Sequence, residues 1–236
     1  MNKKLEDYTF GAVIPAAGRG TRMGGETPKI LLDICGRSVI QRAVDTVSGL
    51  ECVKQIVITA GPALCPVLEY EVTYDPAAVE LQVTEGGERR QDSVAHGFSH
   101  LSPCDYVIIH DGARPLVRLE DVRSTARAAV EHTAAVLGVR PKATVKTCGE
   151  AGNITGTLDR DSLFEAQTPQ IFRYDLFKQA LEYASEHDIE VTDDAQMVEM
   201  TGATVYTVLG TYSNIKITTP EDIVFSRLIA EGTTDG

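Results

Sequence analysis

Short apolar runs alternate along the chain with stretches whose apolar residues recur at helical spacing. Phe10–Ile14, Ile56–Thr59, Val107–Ile109, Ala135–Val139 and Val205–Leu209 are near-continuous apolar segments of strand length, the pattern of strands buried on both faces. Helices are predicted over Val39–Val47, through Leu119, Val122, Ala126 and Val130, and through Leu176, Phe177, Ala180, Leu181 and Ala184. Thr219-Pro220-Glu221-Asp222 reads as a helix start, with Thr at the N-cap, Pro in the first turn and acids at the positive end of the dipole. Ile223, Leu228 and Ile229 are then expected to face the core. This alternation predicts an α/β fold, one Rossmann-like domain over residues 1–236 with a mostly parallel twisted sheet covered on both faces.

Lys142–Leu158 breaks the pattern. Thr and Val alternate, Gly149-Glu150-Ala151-Gly152-Asn153 supplies a turn, and Thr and Ile follow. Its apolar content is too low for a core, so a protruding β-hairpin arm is expected over about residues 140–162, packed most simply on a second subunit.

The net charge is 22 − 34 = −12 over 236 residues, with 43% apolar and 24% charged residues. That balance argues against global disorder, and against bulk nucleic-acid or anionic-membrane binding, which needs a positive field. A local cation cluster can still hold a small anion. The five cysteines, Cys35, Cys52, Cys65, Cys104 and Cys148, include no CxxC pair, so neither a disulfide framework nor a zinc knuckle is indicated. Reduced cysteines in a cytoplasmic protein are the simplest reading. The first residues, MNKKLEDYTF, show no signal-peptide pattern, and no apolar run approaches the roughly 20 residues of a membrane helix.

The strongest chemical signal directly follows the first strand: Pro15-Ala16-Ala17-Gly18-Arg19-Gly20-Thr21-Arg22-Met23, then Thr27-Pro28-Lys29. Small residues let backbone amides approach a polyanion, and Arg22 and Lys29 complete a phosphate cradle. A P-loop is absent, and Met23 occupies the third glycine position of the dinucleotide fingerprint. An ordinary tight turn is the plain alternative. His110-Asp111-Gly112-Ala113-Arg114-Pro115 ends another apolar strand, where open α/β sheets bind ligands. Asp111 can hold a metal ion or a ligand hydroxyl and Arg114 an anion, or the two can form a buried pair that shapes the loop. His110 is expected to pack or hydrogen-bond rather than act as a base. Gly86-Gly87-Glu88-Arg89-Arg90-Gln91-Asp92-Ser93-Val94 places glycines before a helix start, where backbone groups and Ser93 can meet a nucleobase edge; taken alone, a loop with a capped helix is the more common explanation. Arg160 and Lys216 read singly as solvated charges, and Thr192-Asp193-Asp194 as a helix N-cap with acids in its first turn. No Ser-His-Asp order or HExxH motif supports nucleophilic or metalloprotease chemistry.

Taken together and in order, PAAGRGTRM, TPK, GGERRQDSV, HDGARP, TLDRDSL, QTPQ, TDDA and NIKIT resemble the IspD family of cytidylyltransferases, from Ala12 to about Leu228. Gly112 stands where many members have Ala, Ile30 where many have Gln, and Ala143 where an Asp is common. The resemblance implies a homodimer held by the arm, with CTP and the polyol phosphate 2-C-methyl-D-erythritol 4-phosphate as substrates and Mg²⁺ bridging CTP phosphate oxygens. It implies catalytic roles for Arg22, Lys29, Arg160 and Lys216, with Arg160 able to arrive from the partner subunit. Nucleotide contacts would come from Pro15, Ala16, Ala17, Gly18, Gly20, Gly86, Gly87, Ser93, Asp111 and Gly112, and polyol contacts from Asp111, Arg114, Thr144, Thr168 and Thr192, with Asp111 a candidate metal ligand. Three rivals are a ribitol or ribulose 5-phosphate cytidylyltransferase, an oxidoreductase with a degenerate dinucleotide loop, and a non-catalytic nucleotide-binding protein. The first more often carries Gly-Gly where this chain has Ala16-Ala17-Gly18, Met23 weighs against the second, and the four retained cations weigh against the third.

Overall fold

A computed structural model describes residues 4–18 and 27–232. The apolar runs become the parallel strands β1 (Phe10–Pro15), β4 (Val53–Ala60), β6 (Tyr106–Ile109), β7 (Ala134–Val139) and β11 (Tyr206–Leu209). With β5 (Glu80–Glu85) and β10 (Glu165–Arg173) they make a seven-stranded sheet in the order β11-β7-β10-β6-β1-β4-β5. Only β10 runs opposite to the rest, pairing antiparallel with both β6 and β7. The remaining strands form two small antiparallel pairs: β2 (Asp33–Ile34) with β3 (Arg37–Ser38), and β8 (Lys146–Cys148) with β9 (Ile154–Thr157).

Side-chain alternation sorts the core to both faces of the sheet. Ala12, Ile14, Ile56, Ile58 and Ile108 pack with residues of α1 (Val39–Ser48), α2 (Cys65–Glu71) and α4 (Leu119–His132). Val13, Val57, Val107 and Ile109 pack with α3 (Arg90–Ser99), α5 (Tyr174–Glu186) and α6 (Asp194–Glu199). Both faces are covered over β1, β6, β7 and most of β4, which is why those strands are apolar; β11 corrects the expectation of burial on both faces, being an edge strand with Tyr206, Thr207 and Leu209 exposed.

β5 and β10 lacked an apolar run for opposite reasons. β5 is an edge strand whose polar residues alternate with Leu81 and Val83. β10 is central, but its Gln167, Thr168 and Gln170 are buried polar residues that hydrogen-bond within the fold. The last helix, α7 (Pro220–Gly232), starts at the expected Pro, and Asp222 Oδ2 accepts from Thr218 N and Thr219 N at 2.7 and 2.8 Å. Its core face corrects the expectation: Ile223, Ser226 and Ala230 are buried, Ile229 is half-buried, and Leu228 is 61% exposed. One narrow stripe of α7 meets Ile34, Val39 and Ile217, and Leu228 lies off that stripe. The β8–β9 hairpin projects with Ile154 and Leu158 exposed. Its turn is closed by Gly149 N donating to Asn153 O and Gly152 N donating to Gly149 O, both at 2.9 Å.

Among the described residues, no helix is long and apolar enough to cross a membrane. All five cysteines are unpaired. Burial pushes the thiols of Cys52 and Cys65 up, and that of Cys104 up to about 11. None of those three is poised as a thiolate nucleophile.

Candidate active site

β1, β4, β5 and β6 end on the same side of the sheet, and their loops enclose a cleft of about 570 Å³. Its wall carries Pro15, Ala16, Ala17 and Gly18 after β1, Gly61 and Pro62 after β4, Gly86 to Arg90 after β5, and Asp111 and Ala113 after β6. Lys29, Ser93 and Lys216 reach the same space. The structure thus collects Pro15, Ala16, Ala17, Gly18, Lys29, Gly86, Gly87, Ser93, Asp111 and Lys216 around one cavity. Gly20 and Arg22 lie outside the described residues.

The glycines differ in what they do. A Cβ on Gly86 would stand 2.7 Å from Ser93 Oγ and 2.9 Å from Ala17 Cβ, and one on Gly87 would meet Asp92 Cβ at 2.3 Å. Gly86 lets the β5–α3 loop close onto the β1 loop, and Gly87 lets it turn tightly against the first turn of α3. A Cβ on Gly18 would meet nothing within 4 Å, so packing among the described residues does not require a glycine there. Gly112 sits behind the wall, where its Cβ would meet Ile40, Ile14 and Ala16, and its N donates to Pro15 O at 3.2 Å. Ser93 is buried, and its hydroxyl accepts from Gly87 N at 3.1 Å, which shapes the loop.

Asp111 is the electrostatic centre. Its carboxylate is 3.0 Å from Arg90 Nε, 2.8 Å from Lys216 Nζ and 3.6 Å from Arg114 Nε. Burial opposes the charge, but Arg90, Lys216 and Arg114 together hold Asp111 far below the usual carboxylate range. Asp111 N donates to Thr168 Oγ1 at 3.0 Å, and Thr168 Oγ1 also bonds His110 Nδ1 at 3.1 Å. Burial pushes His110 down to about 4. A neutral, enclosed imidazole is a structural bracket here. Arg114 anchors in the other direction, Nη1 donating to Asn214 O at 2.8 Å; burial lowers its pKa despite Asp111. Lys29 Nζ donates to Ile217 O at 2.9 Å, and Ile217 N donates to Ala113 O at 2.8 Å, so the segment carrying Lys216 is tied to both sides of the cleft.

Arg114 and Thr168 brace Asp111 from behind and do not line the cleft. Thr192 is exposed, its hydroxyl donating to Gln196 Oε1 at 3.0 Å. The N-cap of α6 is Asp193, one residue later than Thr192. Thr144 and Arg160 are exposed at the base of the hairpin, Arg160 Nη1 donating to Lys142 O at 3.1 Å; within this chain neither lines the cleft.

Sequence reasoning passed over three residues. Arg90 lines the cleft between two carboxylates, Asp111 and the fully buried Asp194, whose Oδ2 is 2.8 Å from Arg90 Nη1. Asn214 is fully buried, and its Nδ2 donates to Gln167 Oε1 and Thr168 O, both at 3.0 Å. Arg90 stood within a quoted motif, but only the fold reveals that Asp194 reaches it.

Asp111 does not fit a divalent cation in this arrangement. Both its oxygens already face cations, and a metal would have to displace Lys216 or Arg90 against their repulsion. Among the described residues, no group of three or more His, Cys, Asp or Glu converges on a point.

The model of the family described as 2-C-methyl-D-erythritol 4-phosphate cytidylyltransferase, IspD, matches residues 10–231. The protein of that description from Pelotomaculum thermopropionicum is 40% identical over 220 residues, 92% of each chain. A chloroplastic one from Oryza sativa is 35% identical over 233 residues, 98% of this chain and 78% of that one. The crystal structure of 4-diphosphocytidyl-2C-methyl-D-erythritol synthase from Anaerococcus prevotii superposes with a TM-score of 0.83 at 30% identity, over 94% of this chain and 98% of that one. A cleft at the carboxyl ends of parallel strands, glycine-lined and ringed by fixed cations, thus sits in a chain that belongs to the 2-C-methyl-D-erythritol 4-phosphate cytidylyltransferase family.

Proposed function

We infer that the chain transfers CMP from CTP to 2-C-methyl-D-erythritol 4-phosphate and releases diphosphate, the reaction of non-mevalonate isoprenoid precursor synthesis. One observation carries the residue roles: Lys29 and Lys216 share a single cleft with Asp111 and with the glycine loops after β1 and β5. The attacking group is a phosphate monoester, anionic near neutral pH, so it needs no general base. The neutral, enclosed His110 is consistent with that. What the step needs is alignment and neutralisation as two polyanions meet at the α-phosphorus. Lys29, with Arg22 from the segment after Gly18, stabilises charge gathering on the α-phosphoryl oxygens. Lys216 leaves Asp111 Oδ2 to receive the incoming phosphate, and Asp111 is then free to accept hydrogen bonds from polyol hydroxyls. Ala16, Ala17, Gly86 and Ser93 form the cytidine side.

A divalent cation such as Mg²⁺ enters with the triphosphate as part of the substrate. Arg160, beside the hairpin arm, completes the site from a partner subunit in a homodimer. Thr144, exposed at the same base, joins that contact, Thr192 borders the polyol side, and Arg114 and Thr168 act there through Asp111. Unpaired cysteines support a cytoplasmic location, and the acidic net charge supports small-molecule rather than nucleic-acid or membrane partners.

The test is diphosphate release from CTP with a panel of polyol phosphates. Turnover with methylerythritol phosphate well above that with ribitol 5-phosphate is expected. Preference for ribitol phosphate, or CTP binding without diphosphate release for any acceptor, overturns the reading.

A further inference from the structure

Asp194 opens α6, yet that helix makes no use of its carboxylate. The cap is Asp193, whose Oδ1 accepts from Gln196 N at 2.9 Å. The helix is tied to β10 by Gln170, which accepts from Ala195 N at 2.9 Å and donates to Asp193 Oδ2 at 3.0 Å. Asp194 is fully buried, and neither of its oxygens completes a well-angled hydrogen bond. Burial raises its pKa, and Arg90, 2.8 Å away, offsets this only in part. A buried carboxylate so poorly satisfied costs folding stability. Its placement makes sense through what it does to Arg90.

Arg90 bridges two carboxylates. Nη1 faces Asp194, outside the cleft, while Nε faces Asp111 Oδ1 at 3.0 Å. Asp111 Oδ2 stays available to Lys216, 2.8 Å away. A guanidinium beside a lone carboxylate prefers a two-pronged grip on both oxygens. With Asp194 absent, Arg90 is free to take that grip, and the oxygen it gains is the one that holds Lys216.

We propose that Asp194 is a positioning residue: it holds the outer side of the Arg90 guanidinium, keeps Arg90 on a single oxygen of Asp111, and so leaves the other to Lys216 and, in turn, to the polyol. This rests on the reading of the cleft as a polyol-phosphate site. The defect on losing Asp194 therefore falls on the polyol phosphate and spares CTP, whose cradle lies on the β1 and β5 loops.

Asp194→Asn keeps the shape and removes the charge. Steady-state kinetics should show the KM for methylerythritol phosphate raised about tenfold or more and the KM for CTP within about twofold, with the fold intact by circular dichroism. In an Arg90→Met background the same substitution should change neither constant, because the guanidinium through which it acts is gone. An unaltered KM for the polyol phosphate, a loss shared equally by both substrates, or a further loss in the Arg90→Met background each overturns the proposal. If Asp194→Asn alone does not fold, Arg90→Met and Arg90→Met/Asp194→Asn, the latter lacking both charges of the pair, still make the comparison. Wild-type turnover separates the two readings. A wild type inactive with methylerythritol phosphate sinks the assigned reaction, whereas an active wild type with an unaffected Asp194→Asn sinks only the positioning role.

Discussion

Lys29 and His110 illustrate opposite uses of a titratable side chain. Lys29 is a charge aimed at a cleft, its Nζ donating to the backbone carbonyl of Ile217. Lys29→Ala should lower kcat by about 10²-fold, the typical cost of one preorganised charge contact, with the fold intact by circular dichroism. Near-wild-type turnover would remove Lys29 from the proposed mechanism. His110 is fully buried and held neutral, its pKa pushed from 6.5 down to about 4 chiefly by burial. The unfolded chain therefore takes up the proton first as pH falls. The contribution of His110 to stability is complete above pH 6.5 and is lost progressively as pH drops through about 4. Urea midpoints should fall from about pH 7 to about pH 5, and less steeply in His110→Asn. A ring titrating in NMR with a midpoint near 6.5 would contradict this.

The hairpin of β8 and β9 leaves apolar side chains uncovered by its own chain. It exposes Ile154 and Leu158 and carries Arg160 at its base, away from its own chain's cleft. If the arm reaches a partner's cleft, Arg160→Ala and Lys29→Ala should each be nearly inactive alone, yet mixing them after subunit exchange should restore activity. In the mixed dimer one site has both native residues and the other neither, so recovery should approach about a quarter of wild type. No recovery would place Arg160 within its own subunit or outside the reaction. The arm was legible in the sequence because Thr-rich alternation with a Gly-Asn turn cannot be buried. β10 was not, because its Gln and Thr residues look exposed until the partners that satisfy them are known.

Across the whole molecule, the core and the site share β10. It enters the sheet at the cleft end with Gln167 and Thr168, then buries Ile171 and Phe172 between β6 and β7. Phe172 is fully buried and stacks on Phe177 with ring centroids 5.1 Å apart. Phe172→Ala should cost about 3–5 kcal/mol of unfolding free energy, read from denaturant midpoints. A loss below about 1 kcal/mol would mean that the site is stabilised independently of this core.

The apolar strands and the helices between them, the glycine loops and the hairpin follow from local pattern, whereas Lys216 entered the site only through the family resemblance. Buried parallel strands must be apolar throughout, and a backbone that cradles phosphate must be free of side chains. What only the tertiary structure decided is which charges meet. Lys29 finds Ile217 across 188 positions, Arg114 finds Asn214 across 100, and Arg90 stands between Asp111 and Asp194. Nothing local marks these partners. Their pairing depends on an antiparallel strand with polar residues inside the sheet and on a short helix laid against it, and both acquire a reason only once the surrounding chain is in place.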